Sequence, residues 1–248
     1  MRVPGLLEKE VVLDYPLTLG GKEFKEVIIR EYTGLDEEQV SQDDIRENII
    51  LVENIAVSRC IAEVKGTDLL PTPEEISGMP TKIVENLMLE VRKLTYGNNI
   101  SFKGTCVKCK RALIFEENID DFAIKKDCKN VSITFRTPIV RGGKSYSKCH
   151  LKPITNGIRG LIFDKGKKTP SNKMNSTVYQ SSIIKVDNES GAHIIPTLDE
   201  VSALTKFDRK QIEDNIGSVD YIDSSVDYLC PYCNTNNPVV LPIFDFLF

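Results

Sequence analysis

Histidine is nearly missing from this 248-residue chain, which has only His150 and His193. Neither lies in a His-Glu-x-x-His or Cys-His arrangement, so imidazole acid–base chemistry and water-activating metal sites have few candidates. Both read as ordinary polar residues at loop or strand edges. Long apolar runs are missing too. Nothing approaches the roughly 18 consecutive apolar residues of a membrane span, and Met1-Arg2-Val3-Pro4 lacks the apolar segment of a signal peptide. A cytosolic protein with no membrane partner is expected. There is no Gly-x-Ser-x-Gly elbow and no dinucleotide fingerprint. Arg141-Gly142-Gly143-Lys144-Ser145 resembles the end of a phosphate loop, but Pro138 stands where that motif requires glycine. Gly20-Gly21-Lys22 is its counterpart without the following Ser or Thr, so a hairpin turn explains both. Acidic pairs such as Asp36/Glu37 and Asp120/Asp121 lie in charge-rich segments and read as solvated surface. Neither an enzyme active site nor a small-molecule substrate is expected.

Excess positive charge is also lacking. The net charge of −4 and pI near 5.4 do not suit a general nucleic-acid binder, which needs a basic face to displace counterions from phosphates. One segment departs from this. Between Arg141 and Lys173 there are nine Lys or Arg against the single acid Asp164. Part of it, Gly166 to Ser176, is rich in Gly, Ser, Asn, Thr and Pro. It reads either as an exposed loop or as a contact for an acidic partner or phosphates.

What the chain does have is seven cysteines. In a reducing compartment, an odd count argues against a disulfide framework. Four of them form two Cys-x-x-Cys pairs, Cys106-Val107-Lys108-Cys109 and Cys230-Pro231-Tyr232-Cys233, 124 positions apart. Four thiolates in two such pairs suit a closed tetrahedral zinc site, which leaves no coordination position for a substrate. The expectation is a structural Zn held by Cys106, Cys109, Cys230 and Cys233. Strand-like segments flank both pairs, as in a zinc ribbon. Asn234 suits the left-handed turn that a knuckle requires, and Lys110 suits it less. Lys108, Lys110 and Arg111 can offset the charge of four thiolates. Three rivals stay open: a redox pair at each motif, separate metal sites recruiting Cys128, Cys149 or His150, and no metal at all. Cys60, Cys128 and Cys149 otherwise read as small buried hydrophobes.

The 120 residues between Cys109 and Cys230 exceed the spacing of a compact ribbon. Duplication makes convergence across that gap plausible. Gly20-Gly21-Lys22 and Thr33 recur 122 positions later as Gly142-Gly143-Lys144 and Thr155, and Ile61 and Val64 recur as Ile183 and Val186. Leu70-Pro71-Thr72 with Glu75-Ile76-Ser77 is echoed 125 positions on by Ile195-Pro196-Thr197 with Glu200-Val201-Ser202. The fold class is therefore α+β, two tandem copies of a β-hairpin/helix/zinc-knuckle unit sharing a four-cysteine zinc-ribbon-like site. The units span residues 1–125 and 126–248.

Each unit opens with a hairpin around its glycine pair. In the first, Ser41 and Asp44 signal a helix start ahead of Ile45, Ile49, Val52, Ala56 and Cys60 at helical spacing. A second helix runs from Pro80 to Leu94, with Gly97 as its stop. Ile100–Phe102 enters the first knuckle and Leu113–Phe115 leaves it. The second unit opens on the alternating strand Val131–Phe135 and departs from the first after Thr155, where the basic loop is inserted. Helical patterns return at Thr197 to Ser202 and at Asp208 to Ile216, ended by Gly217. Val226–Leu229 and Val239–Leu241 flank the second knuckle. The end, Ile243-Phe244-Asp245-Phe246-Leu247-Phe248, is apolar enough to pack on its own domain or dock into a neighbour.

The order of these words resembles the baseplate hub assembly proteins of T-even-type contractile-tailed bacteriophages. The similarity lies in Ile29-Arg30-Glu31-Tyr32-Thr33-Gly34-Leu35-Asp36-Glu37-Glu38 after the first hairpin, and in Leu94-Thr95-Tyr96-Gly97 leading into Cys106-x-x-Cys109. It continues in Cys230-Pro231-Tyr232-Cys233 with Leu241-Pro242 and a phenylalanine-rich end. The resemblance implies a non-enzymatic protein of the virion tail baseplate hub, assembled in the host cytoplasm, with other tail baseplate hub proteins as partners. From the residues alone, a zinc-ribbon nucleic-acid-binding or transcription-associated protein using the Arg141–Lys173 segment is the alternative, although no nucleic acid partner is expected from the overall charge.

Overall fold

In the computed structural model, residues 5–121, 129–165, 171–216 and 225–240 are described. Strands β1 (Glu8–Leu19) and β2 (Lys22–Arg30) form the opening hairpin, closed by Gly20 and Gly21 at φ 55° and 79°. Two successive positive φ values are what a two-residue turn between twisted strands requires, and glycine adopts them without strain. Val11, Leu13, Leu17 and Leu19 point inward, and a register shift between Val12 and Leu17 keeps both ends of β1 on the core. Helices α1 (Gly34–Val40), α2 (Asp43–Arg46) and α3 (Ile49–Cys60) follow, and β3 (Ile61–Val64) returns to pair with β2. The main helix starts at α3 rather than at Ser41–Asp44. Asn48 is its N-cap, accepting from the Leu51 N–H at 3.1 Å, so the apolar spacing from Ile45 onward spans a break between two helices.

Asp36 is not solvated surface. It is fully buried and accepts from both terminal nitrogens of Arg30 at 2.7 and 2.9 Å, from Arg59 at 2.8 Å, and from the backbone and hydroxyl of Thr33. These bonds tie α1 to β2 and α3. Although burial opposes it, the Arg30, Thr33 and Arg59 hydrogen bonds hold the Asp36 carboxyl far below the usual carboxylate range. Asp120 is half-exposed and pairs with Lys93 at 2.6 Å.

Short helix α4 (Pro73–Ser77) and long helix α5 (Thr81–Tyr96) complete this half. Pro80 sits at the N-cap of α5, and Gly97, at φ 81°, ends it. Beyond it, β4 (Asn99–Thr105) and β5 (Ala112–Asn118) form a separate two-stranded hairpin, followed by a 3-10 turn at Ile119–Asp121.

The second half runs in a similar order, with two helices in place of three after its hairpin and one additional strand. Strands β6 (Val131–Arg141) and β7 (Lys144–Leu151) turn at Gly142 and Gly143, again at positive φ. After helices α6 (Asn156–Lys165) and α7 (Ser171–Ser182) come β8 (Ile183–Asp187) and β9 (His193–Ile194), in a sheet ordered β6-β7-β8-β9. Helices α8 (Leu198–Ser202) and α9 (Lys206–Ile216) lead to the hairpin of β10 (Ser225–Leu229) and β11 (Asn236–Val240). Thr72 with Glu75 and Thr197 with Glu200 build the same reciprocal cap at the starts of α4 and α8.

Instead of a basic loop, the segment after Thr155 is mostly helical, with positions 166–170 outside the described residues. Its Gly, Ser and Asn are weak helix formers, but burial of Met174, Val178 and Tyr179 along one side of α7 overrides local preference. The two arginines of the Arg141–Lys173 stretch are also spoken for. Arg141 pairs with Glu200, and Arg159 is buried between the halves. Cys128 and the apolar segment 241–248 lie outside the described residues, as does Gly217.

Each half has its own hydrophobic core. They meet where α6 packs across α3, α4 and α5. Arg159 reaches Glu53 at 3.0 Å and Glu85 at 3.1 Å, and Asn156 donates to Asn54 at 2.8 Å. The Asn156 N–H also bonds the Met79 carbonyl, and the Thr81 N–H bonds Ile154. The approach is close: a Cβ on Gly157 would lie 2.3 Å from Ser77 Oγ, and one on Gly160 would lie 3.3 Å from Ile50.

Burial pushes the Glu53 carboxyl up, against the pull of Arg159. A carboxyl raised in the folded state favours folding below its unfolded pKa, and that contribution is lost as pH rises through the folded value. Replacing Arg159 by Met should therefore cost about 3–5 kcal/mol near neutrality, by leaving buried carboxylates uncompensated. The deficit should shrink on acidification. Urea unfolding at neutral and mildly acidic pH checks this, and a small, pH-independent loss would contradict it. Asp36→Asn should follow the same direction with pH, but in a lower window, because its carboxyl is held down and not pushed up. Its loss should be full above the unfolded carboxyl pKa and fade as pH falls toward the depressed folded value.

Candidate metal centre

Both cysteine pairs sit at hairpin tips, because each pair of strands ends where a knuckle begins. Thr105 faces Ala112 at the end of one ladder, and Leu229 faces Asn236 at the end of the other. The turns share one hydrogen-bond pattern. Lys110 N–H bonds the Cys106 carbonyl at 3.0 Å and Cys106 N–H bonds Arg111; Asn234 N–H bonds the Cys230 carbonyl at 2.9 Å and Cys230 N–H bonds Thr235. Lys110 and Asn234 have φ of 61° and 52°, the only non-glycine residues with positive φ among those described. Lysine adopts this conformation less readily than asparagine, yet the knuckle imposes it on both.

The tips converge across the junction of the halves. The four sulfurs of Cys106, Cys109, Cys230 and Cys233 lie within 4.8 Å of one another and could hold a metal ion. Cys106 is 3.6 Å from Cys233, and Cys109 is 3.8 Å from Cys230. A tetrahedral ion with metal–sulfur distances of about 2.3 Å requires sulfur–sulfur edges of roughly 3.8 Å, so the donor set fits. The same separations are far beyond the ~2.05 Å of a disulfide, and all four thiols are free. Cys106 and Cys230 are buried, whereas Cys109 and Cys233 are partly exposed.

Backbone amides are aimed at the sulfurs. The Cys109 N–H, aided by that of Lys108, lowers the Cys106 thiol to about 6 despite burial. The Arg111 N–H draws Cys109 down, but burial and the three neighbouring sulfurs outweigh it and lift that thiol to about 11. The Thr235 hydroxyl draws Cys233 down as well, so some thiols of the cluster lose their protons readily while Cys109 is resisted by its neighbours, an electrostatic condition that a bound cation relieves.

Asn237 escaped the sequence reading, because a lone Asn after a Cys-x-x-Cys has no signature. Its buried amide accepts from the Val107 N–H of the other hairpin at 2.9 Å and donates to the carbonyls of Thr235 at 2.8 Å and Tyr228 at 3.3 Å. One side chain thus fixes the register of the two tips. Arg111 adds a second link, lying over the Tyr232 ring at 4.7 Å. Leu113 packs with the four cysteines in a cluster apart from the two main cores.

The remaining candidates are elsewhere. Cys60 and Cys149 are buried in the separate cores, with thiols raised by burial to about 12. His150 bridges Ser132 at 3.0 Å and Asp187 at 2.8 Å on the second sheet, and His193 lies on β9.

Residues 13–248 match the model of a family described as T4 bacteriophage base plate protein. No curated protein and no solved structure matches the chain.

Asn237→Ala should leave the Val107 N–H without its partner, at a cost of about 1–3 kcal/mol, and weaken metal binding by roughly 10–100-fold. Competition with a chromogenic chelator measures this. Affinity equal to that of the unaltered chain would show that the tips are set without Asn237.

Proposed function

The chain belongs to the T4 bacteriophage base plate protein family, and from that premise we propose that it is a non-enzymatic structural or assembly protein of the tail baseplate hub, duplicated internally and stapled by one zinc ion. The observation that carries this reading is the convergence of four sulfurs from two distant Cys-x-x-Cys pairs. A four-thiolate tetrahedron suits zinc, and such a site is closed to substrate. When bound, the ion would supply cross-linking and charge neutralisation. Cys106, Cys109, Cys230 and Cys233 would hold it, while Asn237 and the knuckle amides orient them.

Several spacings support the duplication. Helix α7 begins 122 positions after α3, and β8 follows β3 by the same interval. Helices α8 and α9 begin 125 positions after α4 and α5. We place the boundary between units at residues 125 and 126. A hub requires rigid interfaces with other baseplate proteins, and a chain whose halves share a buried ion pair and a metal staple meets that requirement. The nucleic-acid reading loses support, because Arg141 and Arg159 are committed to carboxylates within the chain. Among the described residues no helix is long and apolar enough to cross a membrane. The proposed location is the virion tail baseplate, reached by assembly in the host cytoplasm.

Because the cysteine cluster is separate from both main cores, chelation should expose the amides of β4, β5, β10 and β11 to hydrogen exchange while the larger sheets stay protected. Uniform loss of protection would mean that the ion holds the whole fold, and no change would mean that it holds nothing. In infected cells, phage encoding Cys106→Ser together with Cys230→Ser should yield fewer complete baseplates. Unchanged assembly would count against the hub role.

A further inference from the structure

Helix α6 packs across α3, α4 and α5, where Met79 and Glu85 bond its Asn156 and Arg159 and where Val57, Thr81, Val84 and Met88 are also buried. On the duplication proposed above, which this inference rests on, the counterparts of these six in chain order are Tyr179, Leu204, Lys206, Arg209, Lys210 and Glu213. Those six residues line an open cavity of about 430 Å³ between α7 and α9. The positions on α9 are open where their counterparts are covered: Lys206, Lys210 and Glu213 are exposed and Arg209 is half-buried, over a floor of buried Tyr179 and Leu204.

The helix that would cover it is the counterpart of α6. Helix α1 lies 122 positions before α6, but it does not reach across to the second half. Leu35 is 67% exposed, Glu37 and Glu38 face solvent, and the Lys210 side chain is 61% exposed. The contact between halves is therefore made once and not reciprocated. Such a heterologous contact leaves one donor and one acceptor surface free, and repetition of it builds rings or filaments.

We propose that α1 of a second copy of this chain docks in the α7–α9 groove, joining chains head to tail. The charges argue for this occupant. Within the chain, the acceptor offers Glu53 and Glu85 and the donor offers Arg159. In the free acceptor those positions are Asn175 and Lys210, with Lys206 and Arg209 alongside, and in the free donor the place of Arg159 is taken by Glu37, followed by Glu38. Both signs are reversed together, so complementarity is kept. Lys210 now bonds Asp214 at 2.8 Å and Glu213 at 3.6 Å, exposed pairs that exchange at little cost. Helix α1 carries Leu35 and Glu38 where α6 has Gly157 and Gly160, so it cannot approach as closely. The cavity, floored by the buried Tyr179 and Leu204, gives Leu35 room. The Arg30 and Arg59 bonds to Asp36 present α1 as a fixed element, which lowers the entropy lost on docking.

Sedimentation of the purified full chain over a range of concentration and salt tests the proposal. Self-association that weakens with salt is expected. Glu37→Lys and Lys210→Glu should each weaken it at least tenfold, and a chain carrying both should recover it, with circular dichroism confirming that every variant is folded. A monomer at all concentrations would overturn the proposal, as would association indifferent to either substitution or not restored by the pair. A zinc-loaded monomer would sink this inference while leaving the scaffold reading intact. A monomer whose Lys210→Glu variant alone failed to enter baseplates would overturn it in favour of an acidic helix from a different baseplate protein.

Discussion

Four thiols crowded within 4.8 Å of one another set the constraint on which the rest of this architecture depends. Like charges at that spacing repel, so the cluster is stable as thiolates only with a cation among them. The chain separates the two pairs by more than a hundred residues, and convergence therefore demands that the intervening and flanking elements hold the hairpin tips in register. The knuckle amides, Asn237 and the Arg111–Tyr232 contact do this locally. The seam of α6 against α3, α4 and α5 does it at longer range.

That seam uses a different physics. It is tight because Gly157 and Gly160 remove the side chains that would hold α6 off, and specific because Arg159 must find Glu53 and Glu85. Buried ion pairs add little net stability over apolar packing, but they penalise misregistration strongly. A four-sulfur cluster at one point of contact, with the proposed ion bound, and a buried charge cluster at another would resist both sliding and rotation. For a component of a mechanical assembly, such rigidity is the useful property.

Much of this was legible in the sequence, and the boundary of legibility has physical causes. Glycine turns, the helix after Pro80, the alternating strand at Val131 and the cysteine pairs are local signals, set by dihedral preference, periodicity and ligand spacing. Repeated words at intervals of 122 and 125 residues coincide with the spacing of element starts, α3 to α7 and α4 to α8 among them, on which the proposed duplication rests. Features that depend on tertiary burial were missed. Asp36 looked solvated because its partners Arg30 and Arg59 lie on other elements. Helices α6 and α7 looked like a loop because their Ser, Asn and Gly content hides an apolar side that counts only once packed. Arg159 read as part of a basic patch, though its charge is spent inside the molecule. Asn237 carried no pattern.

X-ray absorption at the metal edge, on protein purified without added metal, probes the central claim most directly. The account predicts one zinc per chain, bound by four sulfurs at about 2.3 Å with no nitrogen or oxygen ligand. Chains without metal, or an ion coordinated by fewer than four sulfurs, would contradict it.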